Sequence, residues 1–203
     1  MHKMTRQLIF SGMGCFRFLR INCIDIWETM RCHRWKSLIC ALSAIVGIVI
    51  GVVLFNISKY GWWYGNRIAY AERLFNGGFS LFFIFLIWMA IFYLCLVISN
   101  VYPVTKYLNC LLLFISCLYI GANAAATIVC WSVWGVLFCI FVALEEVVFH
   151  FIACLVAFCQ PTVCRTVRET FCDFRQCLTI LAVAFVVKIV GYFVILRLIT
   201  AVI

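Results

Sequence analysis

From Tyr107 to Leu144 the chain carries no charged residue, and few folds tolerate that. A water-soluble domain breaks its apolar segments with solvated faces, whereas this stretch is nearly long enough for two membrane crossings at ~20 residues each. The remainder agrees, with 67% apolar residues, 11% charged and a mean hydropathy of +1.16. Soluble domains are about one-quarter charged. The 203 residues leave room for about four to six crossings and no separate soluble domain. The pattern therefore predicts an all-α fold, a polytopic transmembrane helix bundle of about five spans.

The first span is the clearest, nineteen uncharged residues from Ser37 to Phe55. Within it Gly47 and Gly51 stand four apart, a spacing that lets a neighbouring helix approach closely. The polar and aromatic segment Asn56–Gly78 follows, and its Trp62, Trp63 and Tyr64 fit the water interface, where amphipathic rings settle at headgroup depth. That makes it an interfacial belt rather than a binding platform. A second span covers 79–99 and ends at Asn100, Tyr102 and Pro103, where proline breaks the helix. The third covers 103–130, with Lys106 near its start. Gly121, Ala122 and Ala124–Ala126 make its second half small-faced, which predicts burial against other helices. A fourth span, 134–159, follows almost without a loop, so the boundary between the third and fourth is the least defined. After the polar stretch Gln160–Gln176, a fifth span covers 177–200, interrupted by Lys188 and closed by Arg197.

Orientation follows from the basic residues. The net charge is +9, and seven of the sixteen Lys and Arg precede the first long apolar run. That makes residues 1–36 a basic juxtamembrane segment, and its apolar residues among the charges suit an interfacial helix on the anionic inner leaflet. Placing this segment in the cytoplasm puts eleven Lys and Arg on inside segments against three outside, leaving aside Lys188 and Arg197 within the last helix. The positive-inside rule then selects a cytoplasmic amino terminus and an outside carboxy terminus. This placement also argues against nucleic-acid binding. The charged stretch is too long for a secretory n-region, which predicts a retained first helix.

Fourteen cysteines would suggest a disulfide framework in a small secreted domain. Here eight lie in or beside apolar runs, where they act as small apolar residues, and the other six fall in segments assigned to the cytoplasm, which predicts reduced thiols. No CxxC or CxxH pair occurs, so neither a metal nor a cofactor site has sequence support. Paired Asp, Ser with His, HExxH, Walker and GxGxxG patterns are also missing, so no catalytic residue is assigned and an enzyme is the weakest class.

The residues a membrane makes expensive are Glu145 and Glu146 in the fourth span, His150 one turn beyond Glu146, and Lys188 in the fifth. A carboxylate at such depth costs at least ~2.5 kcal/mol on insertion scales and needs a partner, a proton or water. Glu146 and Lys188 lie about 18 Å and about 17 Å along their helices, so both reach the midplane of a ~30 Å core and a pair is geometrically allowed. The cluster reads either as an ion pair locking two helices or as a proton or ion path.

The stretch GIVIGVVLFN (Gly47–Asn56) and the run FLIWMAIFYLCLVISNVYPV (Phe85–Val104) resemble the first span and the proline-ended second span of the stage II sporulation protein M family. Coverage runs from Ser37 to Ile203. Many members carry a PHGIxE-like sequence in the fourth span; at the comparable position this chain lacks the proline, and Glu146 and His150 stand exchanged for the family's His and Glu. The resemblance implies a non-enzymatic membrane scaffold that anchors cell-wall hydrolases during engulfment, in a cell membrane and with other membrane or wall proteins as partners. A transporter or permease subunit using the Glu, His and Lys cluster is the competing expectation. The oligomeric state stays open, a homo-oligomer included.

Overall fold

The computed structural model describes residues 27–28, 30–59, 61–75, 80–99, 104–159, 182–191 and 193–194. The expected amino-terminal interfacial helix, the break at Asn100–Pro103, the polar stretch Gln160–Gln176 and both ends of the fifth expected span fall outside them. The described residues are helical, without strands. In chain order the helices are α1 (Arg34–Ile57), α2 (Trp62–Phe75), α3 (Ser80–Ser99), a 3-10 turn (Val104–Tyr107), α4 (Leu108–Trp131), α5 (Val133–Phe138), a π-helical segment (Cys139–Ala143) and α6 (Leu144–Cys159). A final helix, α7, covers Ala182–Gly191.

Two of these, α1 and α4, are long and apolar enough to cross a membrane, each of 24 residues. At 1.5 Å per residue each extends about 36 Å, beyond a ~30 Å hydrocarbon core. They pack directly on one another. The buried face of α1 is Cys40, Ala44, Gly47, Gly51 and Phe55, three or four residues apart, and so a single stripe of mostly small residues. A Cβ placed on Gly47 would meet the Phe114 carbonyl oxygen at 2.5 Å, and one on Gly121 would meet the Ile48 carbonyl oxygen at 2.5 Å. At Gly51 it would collide with the Leu118 carbonyl. Here glycine is demanded by backbone touching backbone. Gly47 faces Phe114 while Gly51, one turn on, faces Leu118, so the two helices run parallel.

α3 and α6 run the other way. Trp88 meets Tyr119 at 5.8 Å between ring centroids, whereas Ser99 further along α3 pairs with Asn109 nearer the start of α4. At its far end α6 returns to the beginning of α1, where Lys36 Nζ donates to the Phe158 carbonyl at 3.4 Å and lies 5.3 Å from the Phe158 ring centre. A cation is favoured there because the last carbonyls of a helix carry partial negative charge. The core formed by these four helices contains Cys40, Leu96, Leu113, Cys117, Cys154 and Leu155, all 0% exposed. Outward faces are apolar, with Leu42, Ile45, Val49 and Val53 on α1 exposed.

The structure adds two features that the sequence left open. The segment read as an interfacial belt contains α2, which packs along the second half of α4. Trp63 meets Tyr119 and Arg67 meets Asn123, one turn later on both helices, while Ala71 joins Phe55, Ala122 and Ala126 in a second small core. The undefined boundary between the third and fourth spans is Ser132. Its φ of 54°, with ψ at −122°, breaks α4 in a sparsely populated region that costs an L-residue about 1–3 kcal/mol. The chain then reverses so tightly that a Cβ on Gly135 would strike the Thr127 carbonyl.

Gly51→Ala should therefore lower stability in detergent by ~1–3 kcal/mol, the range for forcing a methyl into a filled interface. At Gly65 on α2 a Cβ would have nothing within 4 Å, so Gly65→Ala should be neutral or gain up to about 1 kcal/mol of helix propensity. Thermal unfolding of the two purified variants checks the contrast.

Candidate functional site

The charged residues of the bundle meet where α6 and α7 pack. Lys188 Nζ forms an ion pair with Glu146 Oε2, and the two side chains are 16% and 15% exposed. His150, one turn along α6, is 1% exposed. Its Nδ1 lies 2.7 Å from the Glu146 carbonyl oxygen. A carbonyl only accepts, so Nδ1 carries the proton and donates. The ring stands edge-on to Phe92 of α3 at 4.3 Å between centroids, and Nε2 is buried without a partner. Glu145 is half-buried and interacts electrostatically with both Lys188 and Glu146. The structure thus brings Glu145, Glu146, His150 and Lys188 together, with the π-helical segment immediately before them. Gly47 and Gly51 lie elsewhere, in the α1–α4 contact.

Beside the ion pair is a cavity of about 50 Å³. Its polar wall is Tyr70, Asn123, Thr127, Glu146 and Lys188, and its apolar wall includes Ile120, Phe138 and Ala143. A space of this size, with polar groups on one wall, has room for a few waters, since one needs roughly 10–15 Å³ by this measure.

Asn123 connects the cavity to a cation on α2. Arg67 Nη1 donates to Asn123 Oδ1 at 3.0 Å, and the guanidinium lies 4.6 Å from the Trp63 ring centre and 5.2 Å from that of Tyr119. Planar, weakly hydrated arginine suits such stacking. Burial pulls the Arg67 pKa below its ordinary value, and Tyr119 and Tyr70 oppose that pull. Trp63 Nε1 and Arg67 Nε are both buried without an acceptor.

Sequence reasoning missed Arg67, Tyr70, Asn123 and Thr127. A usable signal was present, because Asn123 and Thr127 stand one helical turn apart in an otherwise Ala- and Gly-rich run and so share a face. Among the described residues no three His, Cys, Asp or Glu side chains gather as a metal site, and the described cysteines are free thiols.

Removing one partner of a buried ion pair leaves an uncompensated charge, at ~3–5 kcal/mol when the site is dry. With the pair partly exposed and a hydratable cavity beside it, Lys188→Met should cost the lower end of that range. Adding Glu146→Leu should recover most of it, because apolar packing replaces a pair at little net loss. Chemical or thermal unfolding of the single and double variants measures both; a double variant no more stable than Lys188→Met would show that the pairing is not what Lys188 contributes.

No family model matches the chain, and comparison with the curated proteins and with the solved structures finds no significant similarity.

Proposed function

We propose that this chain is a multi-pass membrane protein with five spans, cytoplasmic amino terminus and outside carboxy terminus, acting as a non-enzymatic scaffold or assembly subunit. The alternating directions of α1, α3, α4 and α6 support the span count, because parallel α1 and α4 need an intervening crossing. The bias of basic residues supports the orientation. Apolar outward faces on α1 and α4 support lipid or partner-helix contact.

One observation favours a scaffold over a permease. The cavity at the Glu146–Lys188 pair measures about 50 Å³, against roughly 300–1,000 Å³ for sites that enclose small molecules. Its volume suits a few waters and not a metabolite. The partner class follows from the likeness of Gly47–Asn56 and Phe85–Val104 to the stage II sporulation protein M family, and is cell-wall hydrolases anchored at the membrane. That likeness stands on those residues alone. Transport by the Glu146, His150 and Lys188 cluster is the second reading, carried by the polar string from Arg67 through Asn123 to the cavity.

Two measurements test the proposal. In a cysteine-depleted background, a cysteine introduced at Asn66 should react with an impermeant reagent from outside intact cells, while native Cys32 or Cys164, restored singly, should not. Labelling of Cys164 in intact cells would overturn the five-span orientation. Co-purification in mild detergent should yield a stoichiometric membrane or wall-hydrolase partner. A lone protein with no associate, together with solute flux in proteoliposomes that Glu146→Gln abolishes, would replace the scaffold by the transporter.

A further inference from the structure

At the α6–α7 contact two acids in adjacent positions, Glu145 and Glu146, face one cation, Lys188, which is paired with Glu146. His150 is fixed as a neutral ring, for its Nδ1–H donates to the Glu146 carbonyl and its Nε2, in a residue 1% exposed, has no acceptor to receive a second N–H. Among the described residues, the other titratable groups nearby add no charge in their protonated forms. These are Tyr70 and Cys139 on the cavity wall and Cys117 on α4, which interacts with Glu146. Arg67 lies beyond Asn123, and the field at Glu145 comes from Lys188 and Glu146. With both carboxyls ionised the cluster would carry one uncompensated negative charge inside an apolar bundle, a state that desolvation strongly disfavours.

We propose that Glu145, Glu146 and Lys188 form a proton-binding site that holds one proton on its carboxyl pair, supplied by water in the adjoining cavity. The carboxyls are the place for it because Glu146 borders a space that water can occupy, whereas a proton on His150 Nε2 would point a donor at nothing. Binding adds a proton from hydronium to a carboxylate oxygen and leaves water, so the site needs no other reactant. It exceeds the scaffold reading and rests on the membrane placement within it.

The count makes a signature that does not depend on which carboxyl carries the proton. Infrared spectroscopy of the whole protein at neutral pH, in a maltoside detergent free of ester carbonyls, should show a protonated-carboxyl C=O band worth one group. Glu145→Gln and Glu146→Gln should each abolish it, since either leaves one acid against one lysine. Lys188→Met should double it, because two acids then face no cation. The wild-type band should shift in D₂O, as water in the cavity exchanges the proton. Gel filtration of each variant confirms that it is folded, and the two near-isosteric Gln variants suffice if Lys188→Met aggregates. No band in the wild type, or a band that survives both Gln substitutions, overturns the proposal; so does a folded Lys188→Met with an unchanged band. A band that does not move in D₂O overturns the water supply. Labelling that fits the assigned topology together with a missing band would refute the proton site and leave the scaffold reading standing.

Discussion

Gly47, Gly51 and Gly121 bring two helix backbones into contact, and the arrangement of the other helices depends on that approach. In lipid, helices gain little from the hydrophobic effect by meeting, because hydrocarbon tails are as apolar as leucine side chains. What distinguishes the α1–α4 contact is that each backbone fills the space a side chain would need on the other. Once these two lie parallel, α3 and α6 fill the remaining sides from the opposite direction. Their large residues Leu96, Phe92 and Leu155 complete the core around the small stripe.

The polar groups follow from where that tight contact ends. Above Gly121, α4 presents Asn123 and Thr127, and the space around them is bordered by five other elements: Tyr70 of α2, Phe138 of α5, Ala143 of the π-helical segment, Glu146 of α6 and Lys188 of α7. No single helix could house such a group of charges. An acid from α6 and a base from α7 neutralise one another beside a space that α4 lines with Asn123 and Thr127. The Ser99–Asn109 pair near the other end of α4, with Thr105 donating to the Ser99 carbonyl at 2.7 Å, links polar groups at the α3–α4 connection in the same way.

The two longest helices, α1 and α4, were legible because long apolar runs without charge mark them in the sequence. Ser37–Phe55 lies inside α1 for that reason, and the residues expensive to bury stood out for the same one. α2 was not legible. Gly61 just before it, Gly65 within it and its aromatic cluster match an interfacial belt, and only a periodicity linking Trp63, Arg67 and Ala71 marks a helix with a buried face. Ser132 falls in the gap that spans 103–130 and 134–159 leave, but the reversal there was not legible, because it uses no glycine or proline at the turn and no local pattern encodes its positive φ. The cavity, too, is a property of six elements meeting, and a linear sequence carries no sign of it.

The parallel direction of α1 and α4 has a consequence for biogenesis. Gly47 and Gly51 leave the ribosome long before Leu118 and Gly121, with α2 and α3 between them. In the proposed five-span topology the groove on α1 waits, facing lipid, until the chain has crossed back and α4 has entered. During that interval the small stripe is open to any helix able to approach it, whether a neighbouring chain or an insertion factor. Correct assembly then becomes a race between completing this chain and meeting another, and a slow step within α2 or α3 would lengthen the exposed interval without altering the finished fold.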